Sequence, residues 1–198
     1  MRLIFLEHSR TAYWVDMLLY CLVIVALGGF VSLSGSAMRH SQSLAWIGLG
    51  LCAWTLLEYV LHRFVLHGMP PFRGWHALHH ARPTALICTP TFVSGALFAG
   101  LVFAPAWALG GLEAACPLTL GVLMGYQLYS FTHHAIHHWR SDNAWLLRRK
   151  RQHSLHHGEQ PGFYGVTSAL WDHVFRTARP IRTQKPSWPA QSVSPPPS

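Results

Sequence analysis

The sequence predicts an all-α integral membrane protein in which four transmembrane helices carry a cytoplasmic, histidine-rich helical cap that holds a dinuclear metal site. Composition predicts the membrane part: of 198 residues, 51% are hydrophobic and only 11% are charged, against about 25% charged residues in typical soluble domains. Fifteen histidines in so short a chain predict the metal site. The length fits one domain of about 100–200 residues, which we expect to span residues 1–178.

Four apolar stretches approach the roughly 20 residues that a helix needs to cross a bilayer. None contains a Lys or Arg, and they cover residues 15–33, 44–61, 86–109 and 112–131. The first is longer than the apolar core of about 7–15 residues in a signal peptide, so we expect a retained helix. Only Gly110 and Gly111 separate the last two, which predicts a tight helical hairpin.

The cations decide the predicted orientation. Only Arg39 lies in a loop that would face outward; the others lie before the first segment, between the second and third, or after the fourth. The positive-inside rule therefore places both termini and the loop of about residues 62–85 in the cytoplasm. Because the charges gather at the ends of apolar runs, the net charge of +8 does not predict nucleic-acid binding. The four cysteines show no CxxC spacing, so we expect neither a disulfide framework nor a thiolate metal site.

The chain becomes polar and basic after the fourth segment. Tryptophans and leucines precede the run from Arg148 to Arg151, which predicts a surface segment lying against anionic lipid headgroups. Residues 179–198 are rich in proline and hold little that forms a core. We expect them to be a disordered tail.

Most histidines fall into four boxes. These are HRFVLH (residues 62–67), HALHH (76–80), HHAIHH (133–138) and HSLHH (153–157). Residues three and four apart share a helix face, so HxxHH and HxxxH each aim two or three imidazoles at one point. Imidazole suits zinc, copper, iron and nickel, and ten or more exceed the four ligands of one tetrahedral zinc site. We therefore expect two metal ions. The isolated His8 and His40 are expected to be interfacial residues rather than ligands. His173, alone in WDH, is expected to be interfacial too, the alternative being a further metal ligand.

The first box departs from helical spacing. His62 and His67 are five residues apart, so on a regular helix they would diverge; a local loosening of the helix, or one metal for each, would resolve this. Glu58 lies one turn before His62. We expect it to accept a hydrogen bond from His62 or a neighbouring ring and so fix the tautomer, the alternative being a pair with Arg63 or another interfacial cation. Asp172 allows the same two interpretations.

Five motifs together carry a resemblance to a known family. They are EYVLHRFVLH (residues 58–67), WHALHH (75–80), THHAIHH (132–138), RQHSLHH (151–157) and GFYGVTSALWDHVF (162–175). In this order they resemble the fatty acid hydroxylase superfamily, and are most similar to the catalytic domain of fatty acid 2-hydroxylases. The similarity runs over about residues 56–177. HxxHH alone is a weak signal, but four ordered boxes followed by GVTSxLWDxVF are specific.

The resemblance implies a dinuclear metal centre of two iron ions, which zinc can replace in purified protein. Carried over position by position, its ten ligands are His62, His67, His76, His79, His80, His133, His137, His153, His156 and His157. A one-residue shift of HxxxH would select His134 and His138 instead. Eukaryotic members often carry a cytochrome b5 domain, for which the residues before the first helix leave no room. We therefore expect a separate electron donor of the ferredoxin or cytochrome b5 type.

The expected activity is O2-dependent hydroxylation of a lipid acyl chain, with no catalytic residues beyond the metal ligands. The ligands begin where the second helix leaves the membrane, which favours a carbon near the polar end of a lipid. The similarity of EYVLHRFVLH to fatty acid 2-hydroxylases implies that this carbon is C2. A desaturase or a sterol or carotenoid hydroxylase of the same superfamily is an alternative. A zinc-binding or zinc-transporting membrane protein is another, but transport sites lie near the bilayer midplane, whereas these histidines cluster at helix ends.

Overall fold

The computed structural model describes residues 7–34, 37–158 and 162–178. Within these ranges the chain forms helices and loops, and an isolated bridge between Glu7 and Ile87 is the only β pairing. The all-α prediction is therefore confirmed for the described part. The expected tail of residues 179–198 lies outside it.

In the described part of the chain, seven α-helices and two π-helical stretches follow one another. Helix α1 is Arg10–Leu33, and α2 is Ala37–Val60, which continues into a π-helix at Leu61–Leu66. Helix α3 is Phe72–Ala81, and α4 is Thr91–Phe98, which continues through a second π-helix at Ala99–Phe103 into α5, Ala104–His138. The short helices α6 and α7 are Ala144–His156 and Leu170–Val174.

Three of the described helices are long and apolar enough to cross a membrane: Arg10–Leu33, Arg39–Leu66 and Thr91–His138. They overlap the predicted apolar segments, but most of their ends differ from the prediction. The first and second begin earlier, at Arg10 and Arg39 rather than at residues 15 and 44, and the last continues to His138 rather than to residue 131. The second helix does not stop at Leu61, because its π-helical extension carries it through the first histidine box. The third begins at Thr91 rather than at Leu86, because Pro90 precedes it and the residue before a proline is disfavoured in a helix.

The helix Thr91–His138 folds back on itself. Its 48 residues would extend about 72 Å at 1.5 Å per residue, more than twice the roughly 30 Å of a hydrocarbon core. Gly110 and Gly111 are not helical, and Gly111 has a φ of 64°, which glycine adopts without a Cβ penalty. The rings of Phe98 and Tyr126, on either side of this break, lie 5.0 Å apart. The chain therefore reverses at the predicted glycine pair.

Glycines let α2 and α5 pack against each other. A Cβ on Gly50 would overlap the carbonyl oxygen of Leu118, and one on Gly121 would overlap the carbonyl oxygen of Ile47. One turn further along, Gly125 lies directly against the ring of Trp54. This close contact sets the distance between the ends of α2 and α5, where two of the histidine boxes lie.

Helix α6 packs across the end of α5. Asn143 caps it by accepting from Trp145 N at 3.0 Å and Leu146 N at 3.1 Å, as side-chain oxygens at N-caps do. Leu146 joins a small core with Ala135, Ile136 and Val166. The basic run on this helix is only partly at the surface. Arg149 is 6% exposed, and the Lys150 Nζ donates to the Ile136 carbonyl oxygen at 2.8 Å. The predicted surface segment therefore presents only part of its basic run to the surroundings.

Candidate metal centre

Five histidines from three regions of the chain converge at one point, here called the first histidine group. It consists of His62, His67, His76, His80 and His156, whose ligand nitrogens all lie within 4.8 Å of one another. The Nε2 of His76 lies 3.0 Å from the Nε2 of both His62 and His80. His67 Nε2 lies 3.0 Å from His156 Nε2. Zinc–nitrogen bonds are about 2.0–2.1 Å long, so nitrogens at such spacings can share one ion.

The π-helix at Leu61–Leu66 explains how His62 and His67 join the same group. A π-helix pairs residue i with residue i+5, and His67 N donates to the His62 carbonyl oxygen at 3.2 Å. The two rings are 5.3 Å apart. The widened turn is the local loosening that their spacing required.

Four further histidines form the second histidine group: His79, His133, His137 and His153, with nitrogens again within 4.8 Å of one another. His157 lies between the two groups. Its Nε2 is 3.0 Å from His153 Nε2, while its ring stacks on His80 with a centroid distance of 4.2 Å. The structure thus brings together all ten histidines that the resemblance selected.

The remaining described histidines lie elsewhere. His134 and His138 stack on each other at 4.4 Å on the other face of α5, and His134 Nδ1 lies 3.1 Å from Tyr13 Oη. His173 is exposed. The helix therefore selects His133 and His137, and not their neighbours, for the second group.

His8 and His40 are also remote from both groups. His8 Nδ1 lies 2.8 Å from Cys88 Sγ, and His40 Nε2 lies 3.1 Å from the Ser32 carbonyl oxygen. Neither isolated ring contacts another histidine in the described part of the chain, in keeping with the expectation that they are not ligands.

Burial keeps the clustered imidazoles neutral. Loss of solvation lowers the pKa of His79 and of His156 to about 3, and that of His67 and of His157 to about 4. The neighbouring rings lower these pKa values further. Neutral imidazole is the form that binds a metal, so the ligands are ready at physiological pH.

The hydrogen bonds of the groups fit a pair of metal ions. His62 Nδ1 lies 2.6 Å from the Tyr164 carbonyl oxygen, and His156 Nδ1 lies 2.9 Å from that of Gly162. Since a carbonyl only accepts, both Nδ1 atoms carry the proton and both Nε2 lone pairs face the group. Both nitrogens of His79 and the Nδ1 of His153 are buried without a partner. Buried polar atoms are normally satisfied, and a bound metal would satisfy one nitrogen of His79.

The two buried carboxylates near the site do not contact a histidine ring, which corrects the predicted role of Glu58. Glu58 accepts from Val166 N at 2.5 Å, from Thr167 N at 2.9 Å and from the Thr167 hydroxyl. The alternative partner, Arg63, donates instead to Tyr59 Oη at 2.6 Å.

Asp172 has the same kind of partners. It accepts from Tyr164 N and Gly165 N, both at 2.8 Å, and from Thr177 Oγ1 at 2.7 Å. Among the residues that the structure describes, it therefore contacts neither a histidine ring nor a cation, the two partners that the sequence suggested.

Sequence reasoning did not assign a role to the loop of residues 162–167, which supplies the two carbonyl oxygens. Every residue type has a backbone carbonyl that can accept a hydrogen bond, so the sequence does not show which carbonyls do so. The available signal was indirect: GFYGVTSALWDHVF places two glycines and a threonine within ten residues of an aspartate, as a loop folded around a carboxylate requires.

Comparison with known proteins identifies relatives of this fold and site. The family model described as fatty acid hydroxylase matches residues 47–177. The ceramide very long chain fatty acid hydroxylase scs7 of Schizosaccharomyces pombe is 32% identical over 197 residues, covering 89% of this chain and 54% of that protein. The dihydroceramide fatty acyl 2-hydroxylase FAH2 of Arabidopsis thaliana is 31% identical over 191 residues, covering 88% of this chain and 76% of that protein.

A solved structure agrees with the fold. Full-length scs7p, in which only the hydroxylase domain is visible, superposes with a TM-score of 0.74 at 25% sequence identity. The match covers 87% of this chain and 67% of that one. The chain thus spans about half the length of the fission yeast relative and most of the visible hydroxylase fold.

Proposed function

Because the chain belongs to the fatty acid hydroxylase family, we propose that it is a membrane-bound, O2-dependent monooxygenase that hydroxylates a lipid acyl chain at C2. The observation that carries this proposal is the convergence of nine buried or half-buried histidines into two groups of closely spaced nitrogens. Two of its relatives are a ceramide very long chain fatty acid hydroxylase and a dihydroceramide fatty acyl 2-hydroxylase, which supports an acyl chain as the substrate.

Each histidine group would hold one iron ion, with His157 adjacent to both groups. Bound iron supplies the redox chemistry that O2 activation needs and that side chains alone lack. The chain's own part is to hold ten neutral imidazoles in place and to exclude water. His62 and His156 keep their Nε2 lone pairs directed inward through their bonds to backbone carbonyls.

Aromatic side chains line the membrane side of the second histidine group and form the wall along which the acyl chain approaches. Tyr129 stacks on His133 at 5.7 Å. Tyr126 contacts Tyr129, Trp54 and Phe98 with centroid distances of 6.3, 5.5 and 5.0 Å. These rings present apolar surface to a lipid chain and keep water from the groups.

The site lies at the cytoplasmic membrane surface, above four crossings made by α1, α2 and the two arms of the hairpin. Arg39 pairs with Glu113 at 2.9 Å, so the start of α2 and the hairpin turn share the end of the bundle away from the histidines. The cations after α5 lie at the histidine end, which the positive-inside rule assigns to the cytoplasm. A lipid held by its polar end would place C2, rather than a distant carbon, beside the histidines.

A separate electron donor completes the reaction. One oxygen atom of O2 enters the C–H bond and the other leaves as water, so electrons and protons must be supplied in each turnover. The outer face of α6 carries exposed Arg148 and Arg151 beside Trp145, which is 50% exposed. This basic surface suits an acidic protein of the ferredoxin or cytochrome b5 type, because opposite charges steer such encounters.

Mass spectrometry of membrane lipids tests the function. Cells that express the chain should gain a lipid class heavier by one oxygen on the acyl chain, whereas cells that express His156→Ala should not. His40→Ala is the matched control, because this ring lies outside both groups, and it should yield the product. Metal uptake into vesicles without lipid oxidation would instead favour a transporter.

A further inference from the structure

Glu58 and Asp172 are deeply buried acids beside the histidine groups, yet they bind backbone rather than metal ligands. Glu58 is 3% exposed and Asp172 is 0% exposed. Together they accept from four successive backbone N–H groups of one loop, those of residues 164–167. Buried unpaired N–H groups are costly, so without these carboxylates the loop would not keep its conformation.

The same loop directs its carbonyl groups at the first histidine group. Tyr164 offers its carbonyl oxygen to His62, and Gly162 offers its own to His156. The acids bind the N–H groups of residues 164–167. Tyr164 lies within this stretch, and Gly162 lies two positions before it. The carboxylates therefore act on the two rings through the backbone.

The conformation of the loop leaves little freedom. Gly162 has a φ of 155°, and a Cβ there would lie 2.5 Å from the Thr177 carbonyl oxygen. A Cβ on Gly165 would overlap the Ser168 carbonyl oxygen and lie 3.0 Å from Asp172 Oδ2. The chain thus folds tightly around Asp172. Movement of either acid would therefore also displace the carbonyl groups of Gly162 and Tyr164.

The second histidine group has no such support among the described residues. Both nitrogens of His79 and the Nδ1 of His153 lack a hydrogen-bond partner. Within that group, His137 Nε2 and His153 Nε2 approach to 2.9 Å, but no loop carbonyl orients either ring in the described part of the chain. The two groups therefore differ in how firmly their rings are held.

We propose that Glu58 and Asp172 are positioning residues that, through the loop of residues 162–167, fix the tautomers and orientations of His62 and His156 and so strengthen metal binding at the first histidine group alone. The proposal rests on the metal centre proposed above. Hydrogen-bond partners of metal-binding histidines typically change metal affinity by about 10-fold to 100-fold. A purely structural role for the two acids would instead weaken both groups together.

The test measures metal affinity at each group separately, with Co²⁺ and a competing chelator, on the full chain purified in detergent. His133→Ala combined with His137→Ala leaves only the first group complete. His76→Ala combined with His80→Ala leaves only the second group complete. Glu58→Gln and Asp172→Asn are then added to each background.

In the background that keeps the first group, either substitution should weaken Co²⁺ binding by about 10-fold to 100-fold. In the background that keeps the second group, neither should change it. Glu113→Gln is the matched control, because it removes one exposed carboxylate at the other end of the bundle; it should change neither affinity. Equal weakening in both backgrounds, or no weakening in the first, would overturn the proposal.

A milder variant covers the case in which the acid substitutions prevent folding. Thr167→Val removes one hydroxyl donor to Glu58 and keeps the side-chain volume and the backbone bonds. It should weaken Co²⁺ binding at the first group by a smaller factor and leave binding at the second group unchanged. Unchanged binding at the first group would also overturn the proposal.

The two parent backgrounds separate failure of the metal centre from failure of the positioning role. If both parents bind no Co²⁺, the metal centre itself is refuted. If both parents bind Co²⁺ and none of the three substitutions changes the affinity, only the positioning role is refuted.

Discussion

Individual residues show where sequence reasoning succeeds and where it stops. Spacing on a helix pairs His133 with His137 but equally His134 with His138. The resemblance favoured the first pair, and the structure places that pair in one group. Spacing did not decide how His62 and His67 meet, because that depends on a π-helix, a backbone choice that the surrounding packing makes. The role of Glu58 was mispredicted since its partners are backbone N–H groups from more than a hundred residues away.

The histidine box THHAIHH offers a test at this scale, because it contains adjacent histidines with different surroundings. Anaerobically purified protein should carry about two metal ions per chain, since ten imidazoles exceed one four-ligand site. His133→Ala should lose about one of them and all hydroxylation, because it removes a ligand of the second group. Metal content is measured by elemental mass spectrometry.

The control is the neighbouring ring. His134→Ala removes the same side chain from the next position, which faces Tyr13 and His138, so metal content and activity should both stay at the wild-type level. A loss of metal equal to that of His133→Ala would show that the ligands are drawn from the other face of α5.

Among the elements, the apolar segments were predictable in approximate place because hydrophobicity alone defines them. Their ends were not. The second helix runs through the first box, and the third starts after Pro90, since local hydrogen bonding and packing decide where a helix ends. The contact between α2 and α5 was not predicted either, because a glycine inside an apolar run gives no sign of its partner.

The close contact between α2 and α5 can be tested by substituting a glycine in it. Gly121→Ala places a methyl group against the Ile47 backbone, which cannot move aside as a side chain would. Overpacking typically costs about 1–3 kcal/mol, so the melting temperature in detergent should fall. Metal retention should fall with it, because α2 and α5 position His62 and His133.

Gly48→Ala is the matched control for this substitution. Gly48 lies on α2 near the contact, but a Cβ there meets nothing within 4 Å. Its melting temperature should equal that of the wild type or slightly exceed it, since alanine favours the helix. If Gly121→Ala behaves like Gly48→Ala, the close approach of the two helices is not maintained in the membrane.

For the whole molecule, the distribution of charged residues predicts the orientation in the membrane, which the apolar segments do not. The helical bundle would be equally apolar in either orientation, so the cations alone predict which side faces the cytoplasm. Reporters fused after Ser198 and inserted near Gly111 should therefore label opposite sides of the membrane, with Ser198 cytoplasmic. Both reporters on one side would contradict the four crossings, and the reverse orientation would contradict the cytoplasmic site.

The most direct measurement of the central claim uses an acyl substrate that carries deuterium only at C2. If the chain hydroxylates C2, the product should gain one oxygen and lose one of its deuterium atoms, and turnover should slow when C–H cleavage limits the rate. The reaction is followed by mass spectrometry in membranes supplied with O2 and an electron donor. Full retention of the label beside a new oxygen or a new double bond elsewhere in the acyl chain would contradict the assignment.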